Sequence, residues 1–180
     1  MPSSPQDDLT SVVTWYDVLG VLPDAPREDI REACRARTEA LQPGPLAGAP
    51  PNVLSVADRA RQAVQEAWRV LADPAARESY DEEIGFVRPG EGLDPSRRGP
   101  ERLSHVVVPD VTGLFYGACM DVAGRVGLHV APVQLTSHPM PVEGLAVGQS
   151  PAPGEQVHRD STLTVRVWHP SAQGPAAYSA

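Results

Sequence analysis

Cys34 and Cys119 are the only two thiols of the chain, and they stand far apart with no CxxC pair. A structural zinc site or a disulfide framework needs more ligands at closer spacing, so both cysteines are expected to act as small buried hydrophobes. His105, His129, His138, His158 and His169 all lie in the C-terminal half. Their spacing is not that of a metal site, and scattered surface imidazoles are expected. Gly148-Gln149-Ser150-Pro151 supplies a hydroxyl, but it lacks the strand–GxSxG–helix context of a hydrolase nucleophile. No nucleophile–base pair, paired-carboxylate motif or phosphate-cradling glycine loop is found in the chain. The remaining chemistry is recognition. Arg27, Arg31 and Arg35 recur every four residues and form a basic stripe if the segment is helical, with Glu28 and Glu39 near enough to pair with it. Gln42-Pro43-Gly44 follows that segment in a loop. The sequence therefore predicts no enzyme, no cofactor and no metal.

The elements that must hold these groups are marked off by proline and glycine. The chain has 180 residues, a net charge of −8 and 15 basic residues, all of them Arg. Neither half is basic, which argues against binding phosphate backbones or anionic membranes. No stretch approaches the ~18 apolar residues of a membrane span. MPSSPQDDLT has neither the basic start nor the apolar run of a secretory signal, and a cytoplasmic location is expected.

Residues 1–9 read as a disordered N-terminus and residues 10–84 as a helical module. Residues 85–104 read as a Pro/Gly-rich flexible linker, 105–169 as a second module and 170–180 as a disordered tail. With a linker of this kind, the two modules are expected to move independently.

In the helical module, Val13, Tyr16 and Leu19 share one face of a first helix over 11–21. Ile30, Ala33, Cys34 and Leu41 share a face of a second helix opened by Asp24 and Pro26. A third helix runs from about Ser55 to Ala72, with Val64, Ala67, Trp68 and Leu71 inward. A fourth starts at Asp73-Pro74 and brings Tyr80 over the core. Trp68, the largest apolar side chain of the third helix, is expected against Tyr16 or Leu19 and Ile30 or Cys34, so that Trp68→Ala would unfold the module. Two residues break the pattern. Arg37 falls on the apolar face of the second helix and Arg61 on that of the third. Neither can be buried unpaired; each must reach outward or find a partner such as Glu39 or Asp58.

The pieces WYDVLGV at 15–21, REDIREACR at 27–35 and QEAWRVLADPAARESYD at 65–81 together resemble the J domain of DnaJ-like co-chaperones. That family carries a His-Pro-Asp tripeptide after its second helix, required to stimulate ATP hydrolysis by a DnaK-type chaperone. Gln42-Pro43-Gly44 falls at the matching place, and no His precedes His105. The resemblance thus implies a J-like module that does not stimulate. It also implies that Arg27, Arg31 and Arg35 form the chaperone-facing stripe, if there is one. In place of the family's usual Leu stands Arg37.

In the C-terminal half, Leu114, Ala118, Val122 and Val126 have helical spacing, and Gly127 ends the helix. Leu128, Val130 and Val133 are expected inward on a strand interrupted at Pro132. LAVGQSPAPGEQV reads as strand, turn and strand. TLTVRVW alternates, with Leu163, Val165 and Val167 to one side. VPDVTGL, GQSPAPGEQV and TLTVRVW together resemble a PASTA domain, which implies one helix on a three-stranded sheet.

The expected fold is therefore multidomain: an all-α J-domain-like helical hairpin module followed by an α+β PASTA module. The expected function is that of a non-enzymatic interaction or adaptor protein with a protein partner. A working DnaJ-type co-chaperone acting through the Arg stripe is the alternative, as is a PASTA-based muropeptide sensor, for which export would be required.

Overall fold

A computed structural model describes residues 13–85, 105–135 and 144–169. The expectations for residues 1–9, most of 85–104 and 170–180 lie outside the described residues.

The first helix, α1, spans Trp15–Leu19 and is only 5 residues long. A helix this short is not stable alone. Its ends are fixed by a capping box, in which Thr14 and Asp17 satisfy each other's backbone and side-chain groups, and by Gly20 in the left-handed region at φ 71°. Tyr16 and Leu19 are 1% and 0% exposed and anchor it. The second helix, α2, spans Arg27–Ala40, and α3 spans Pro51–Leu71. Val53, Val56, Ala57, Ala60, Val64, Ala67 and Leu71 recur at three- and four-residue steps along α3, and all are buried. The sequence places the start of α3 at about Ser55; the helix begins earlier because Pro51 occupies its first turn, where a missing N–H costs nothing. The fourth helix, α4, spans Pro74–Glu83. The Asp73 side chain caps it by accepting from the Ala76 N–H at 2.9 Å.

The core of this module is centred on Tyr16, Leu19, Ile30, Leu41, Leu46 and the α3 stripe. Trp68 is a correction. It is half-buried at the rim, while its neighbour Ala67 takes the fully buried position. The helical phase was right, but the register carries Ala67 to the centre and leaves the larger ring at the edge.

The C-terminal module contains β1 (His105–Val107), α5 (Tyr116–Val126), β2 (His129–Gln134), β3 (Leu145–Ser150), β4 (Gln156–His158) and β5 (Thr162–Trp168). The three-stranded sheet has the order β2-β5-β3, with β2 parallel and β3 antiparallel to the central β5. A separate antiparallel ribbon pairs β1 with β4. Leu163, Val165 and Val167 of β5 point into a core shared with Val111, Cys119, Val122 and Ala123.

Val133 is a second correction: it is 45% exposed. The ladder continues through Pro132 without a shift and pairs Val133 with the exposed Arg166, so both lie on the face away from α5. Pro132 is tolerated because the N–H groups of His129 and Leu135 point to β5, at 3.0 and 2.9 Å. By alternation the nitrogen of Pro132 faces the open edge, where no ladder bond is lost.

Candidate functional site

The Arg stripe and the loop after α2 are solvent-facing. Arg27, Arg31 and Arg35 are all exposed along α2. Arg35 lies 3.9 Å from Glu32, rather than pairing with Glu28 or Glu39, and both side chains of this pair are about three-quarters in water, a contact of little energetic weight. Gln42, Pro43 and Gly44 are exposed, and a Cβ added to Gly44 would meet nothing within 4 Å. The loop is held from below by Leu46, which is 3% exposed and inserts into the helical core.

Arg61 resolves as one of the expected solutions. Its guanidinium donates to Asp58 Oδ1 at 2.7 Å and to the Leu41 carbonyl at 2.8 Å, at the C-terminal end of α2. Arg37 takes a route that the sequence did not suggest. Its Nε–H donates to the Leu19 carbonyl at 3.2 Å, and its guanidinium lies over the ring of Phe115, 4.0 Å from the centroid. Phe115 belongs to the C-terminal module, as the residue that caps the start of α5.

That contact is part of a continuous junction: the structure holds the two modules against each other, where the linker's composition leads one to expect independent movement. Arg125, in the last turn of α5, makes a bidentate pair with Asp17 of α1, at 2.9 and 2.6 Å. The Asp17 side chain is 7% exposed. Phe115, Leu145 and Val147 join the apolar cluster of the helical module, while Val13 and Val18 pack against that of the C-terminal module. Gly113 sits over α3: a Cβ there would lie 3.9 Å from the Cβ of Ala60. One signal in the sequence did point to this. Leu145-Ala146-Val147 is a continuous apolar run instead of an alternating one, as expected of a strand covered on both faces.

Buried polar groups also tie α1 to α4. The Tyr16 hydroxyl donates to Asp81 Oδ1 at 2.5 Å and accepts from Arg77 Nε at 3.0 Å. Arg77 also donates to the carbonyls of Pro23 and Ala25, at 2.8 and 2.9 Å. Burial, with the Asp81 hydrogen bond, pushes the Tyr16 phenol up to about 12. The Tyr80 hydroxyl accepts from the Trp15 N–H at 2.9 Å.

In the C-terminal module, Gln149 has a structural task. Its side chain accepts from the Val111 N–H at 2.8 Å and donates to the Pro109 carbonyl at 2.8 Å, clamping the 109–111 turn. The ladder shifts register between Ala146 and Gly148, and a Cβ at Gly148 would run into the Arg166 guanidinium. Ser150 and Pro151 lie at the end of β3, where the strand turns.

The histidines are less scattered than expected. His169 is 8% exposed, and the rings of His105 and His158 meet across the β1–β4 ribbon, tilted by 40° with centroids 4.1 Å apart. Among the described residues, no group of three or more His, Cys, Asp or Glu could hold a metal ion. Both cysteines are free; burial raises the Cys34 thiol and pushes Cys119 up to about 12. A depression of ≈ 210 Å³ lies between Arg27, Leu71, Ala72, Pro74, Arg77 and Glu78. It is smaller than the roughly 300–1,000 Å³ of small-molecule sites.

A four-helix J-type unit carrying a helix-and-sheet module defines the class, and comparison with known families agrees with it on both sides. The DnaJ domain family matches residues 14–81 and the PASTA domain family matches residues 106–167. The chain is similar to Adaptation to cold protein J of Shewanella oneidensis, at 30% identity over 76 residues, covering 42% of this chain and 81% of that protein. The chain belongs to the DnaJ-like family and carries a PASTA domain in addition. These families are chaperone-related and binding modules, and neither is an enzyme family. No helix among the described residues is long and apolar enough to cross a membrane.

Proposed function

We propose that this chain is a non-enzymatic cytoplasmic adaptor, in which the J-like module presents α2 to a protein partner without stimulating ATP hydrolysis by a DnaK-type chaperone. The observation that carries the reading is the exposed Gln42-Pro43-Gly44 at the end of α2. Stimulation in this family is implied to need an imidazole and a carboxylate in that loop. Gln42 offers only a neutral amide, and Gly44 offers no side-chain acceptor at all. The Arg27, Arg31 and Arg35 stripe stays in solvent with the C-terminal module docked, so a binding surface is retained while the catalytic prompt is missing. The PASTA domain serves as a docking module, not as a muropeptide sensor. The two free thiols fit the reducing cytoplasm.

Single-turnover ATP hydrolysis by a DnaK-type chaperone tests the reading directly. The expected rate is that of the chaperone alone across a titration of the full chain. A several-fold, concentration-dependent acceleration would refute it and favour a working co-chaperone. Binding without acceleration, lost when Arg27, Arg31 and Arg35 are replaced by Ala, would identify the chaperone as the partner of the stripe.

A further inference from the structure

The junction between the modules is built from groups that make sense only with both halves present. Leu145 and Val147 are 0% and 7% exposed, and they face the helical module, whereas Ala146 between them faces the core around α5. Without α1 and α3, these two side chains and Phe115 would form a contiguous apolar patch, which soluble surfaces avoid unless something covers it. The polar groups match in the same way. Asp17 is 6% exposed, and a carboxylate so far from water needs a cation beside it. Thr14 provides an N–H and a hydroxyl, at 2.8 and 2.7 Å, but both are neutral. The charge comes from Arg125. In turn, Arg37 sits where the resemblance leads one to expect Leu, and the ring it lies on is supplied by the other module.

We propose that the α1–α3 face of the J-like module, with Arg37 at its border, is a docking surface dedicated to the chain's own PASTA module. Residues 13–85 and 105–169 then unfold as one cooperative unit. The partner this surface fits is an α+β module with an aromatic residue at its helix N-cap and an arginine in the last turn of that helix. Asp17 and Arg37 select for those two groups. At 100° per residue Arg37 leaves α2 about 160° from Arg35 and about 120° from Arg31, though only about 80° from Arg27, and all three stripe residues stay exposed with the module docked, so docking leaves the stripe uncovered. The surface is therefore separate from the one invoked for an external partner.

Hydrogen–deuterium exchange on the full-length chain, read segment by segment through a urea series, tests the proposal. In the parent protein, amides of α1 and α3 should open at the same urea concentration as those of β3 and β5. Arg125→Gln removes the cation beside Asp17 and lies in α5, half-exposed, away from the helical core. It should speed exchange in α1 by about ten- to a hundredfold, the loss expected for a charged hydrogen bond, and Arg125→Lys should restore part of that protection. A variant that unfolds both modules together supports the proposal equally. The proposal is overturned if Arg125→Gln leaves α1 as protected as in the parent, or if the two modules open at separate urea concentrations. Protection of α1 that disappears on dilution would assign the contact to a second copy of the chain, and would overturn it too.

Discussion

Replacing Arg37 by Leu sets two descriptions of the J-like module against each other. From the sequence, Arg37 interrupts an apolar face, and the substitution should be neutral or stabilising. From the structure it removes two contacts. The Nε–H bond to the Leu19 carbonyl at 3.2 Å is a hydrogen bond from a charged donor at a half-buried position, and such bonds contribute about 1.5 kcal/mol at the low end. The guanidinium over Phe115, 4.0 Å from the centroid, adds about 1 kcal/mol at partial desolvation. Leucine returns roughly 1–1.5 kcal/mol through apolar burial. The balance is a loss of about 1–1.5 kcal/mol, or a fall in Tm of roughly 3–6 °C for a cooperative unit of this size. Thermal melts followed by circular dichroism on the full chain measure it. Arg37→Lys, which keeps a cation near the ring but not the planar stack, should fall between the two. A variant Arg37→Leu that melts at or above the parent temperature would refute the reasoning, and with it the role of Arg37 at the junction.

Three further outcomes follow from the buried aromatic side chains. Tyr16→Phe removes the donor to Asp81 Oδ1 and the acceptor of Arg77 Nε, and should cost about 1.5–3 kcal/mol by urea denaturation; a change under a few tenths would mean that this network carries no weight. The same hydroxyl sets a pH dependence. The folded phenol is pushed up to about 12 from 10.0, and Tyr80 and Tyr116 are raised as well. The unfolded chain therefore loses these protons first: the contribution to stability is whole below pH 10 and is lost as the pH rises towards about 12. Urea midpoints should fall over that window, less steeply in Tyr16→Phe, and a flat profile would contradict the shift. Trp68→Ala, expected from the sequence to unfold the module, removes a rim side chain and should cost only about 1–2 kcal/mol; complete unfolding would return Trp68 to the centre of the core.

Much of the fold was legible because its signals are local. Pro74 after Asp73, Gly127 after Val126 and the alternation of TLTVRVW each mark a boundary or a face through short-range chemistry, and the structure places α4, the end of α5 and β5 accordingly. The errors arose where a side chain's surroundings come from distant sequence. Nothing near Trp68 states that α3 turns Ala67 to the centre, and nothing near Pro132 states that the β2–β5 ladder runs through it unshifted. Apart from the apolar run Leu145-Ala146-Val147, the junction was illegible for the same reason. Asp17 reads as an ordinary capping-box acid until Arg125 is brought to it across 108 positions. The exposure of the stripe and of the 42–44 loop was readable, but what binds there depends on a surface outside this chain.

The two arginines that break the apolar pattern turn out to share one physical solution. A helix leaves its last carbonyls without intrahelical partners, and a buried guanidinium needs acceptors. Arg37 donates to the carbonyl of Leu19, the last residue of α1, and Arg61 to that of Leu41, which caps α2. Each cation meets one unmet acceptor at the C-terminal end of the preceding helix, where the helix dipole also favours positive charge. Gly20 makes the first of these contacts possible, since a Cβ there would come within 2.6 Å of Arg37 Nη2. What remains is the flat face of each guanidinium. Arg61 has its second partner within its own helix, in Asp58, so its role ends inside the J-like module. Arg37 meets Phe115 instead. The departure at Arg61 is thus compensated locally, whereas the departure at Arg37 is compensated only with the second module in place, and this makes position 37 the more telling of the two.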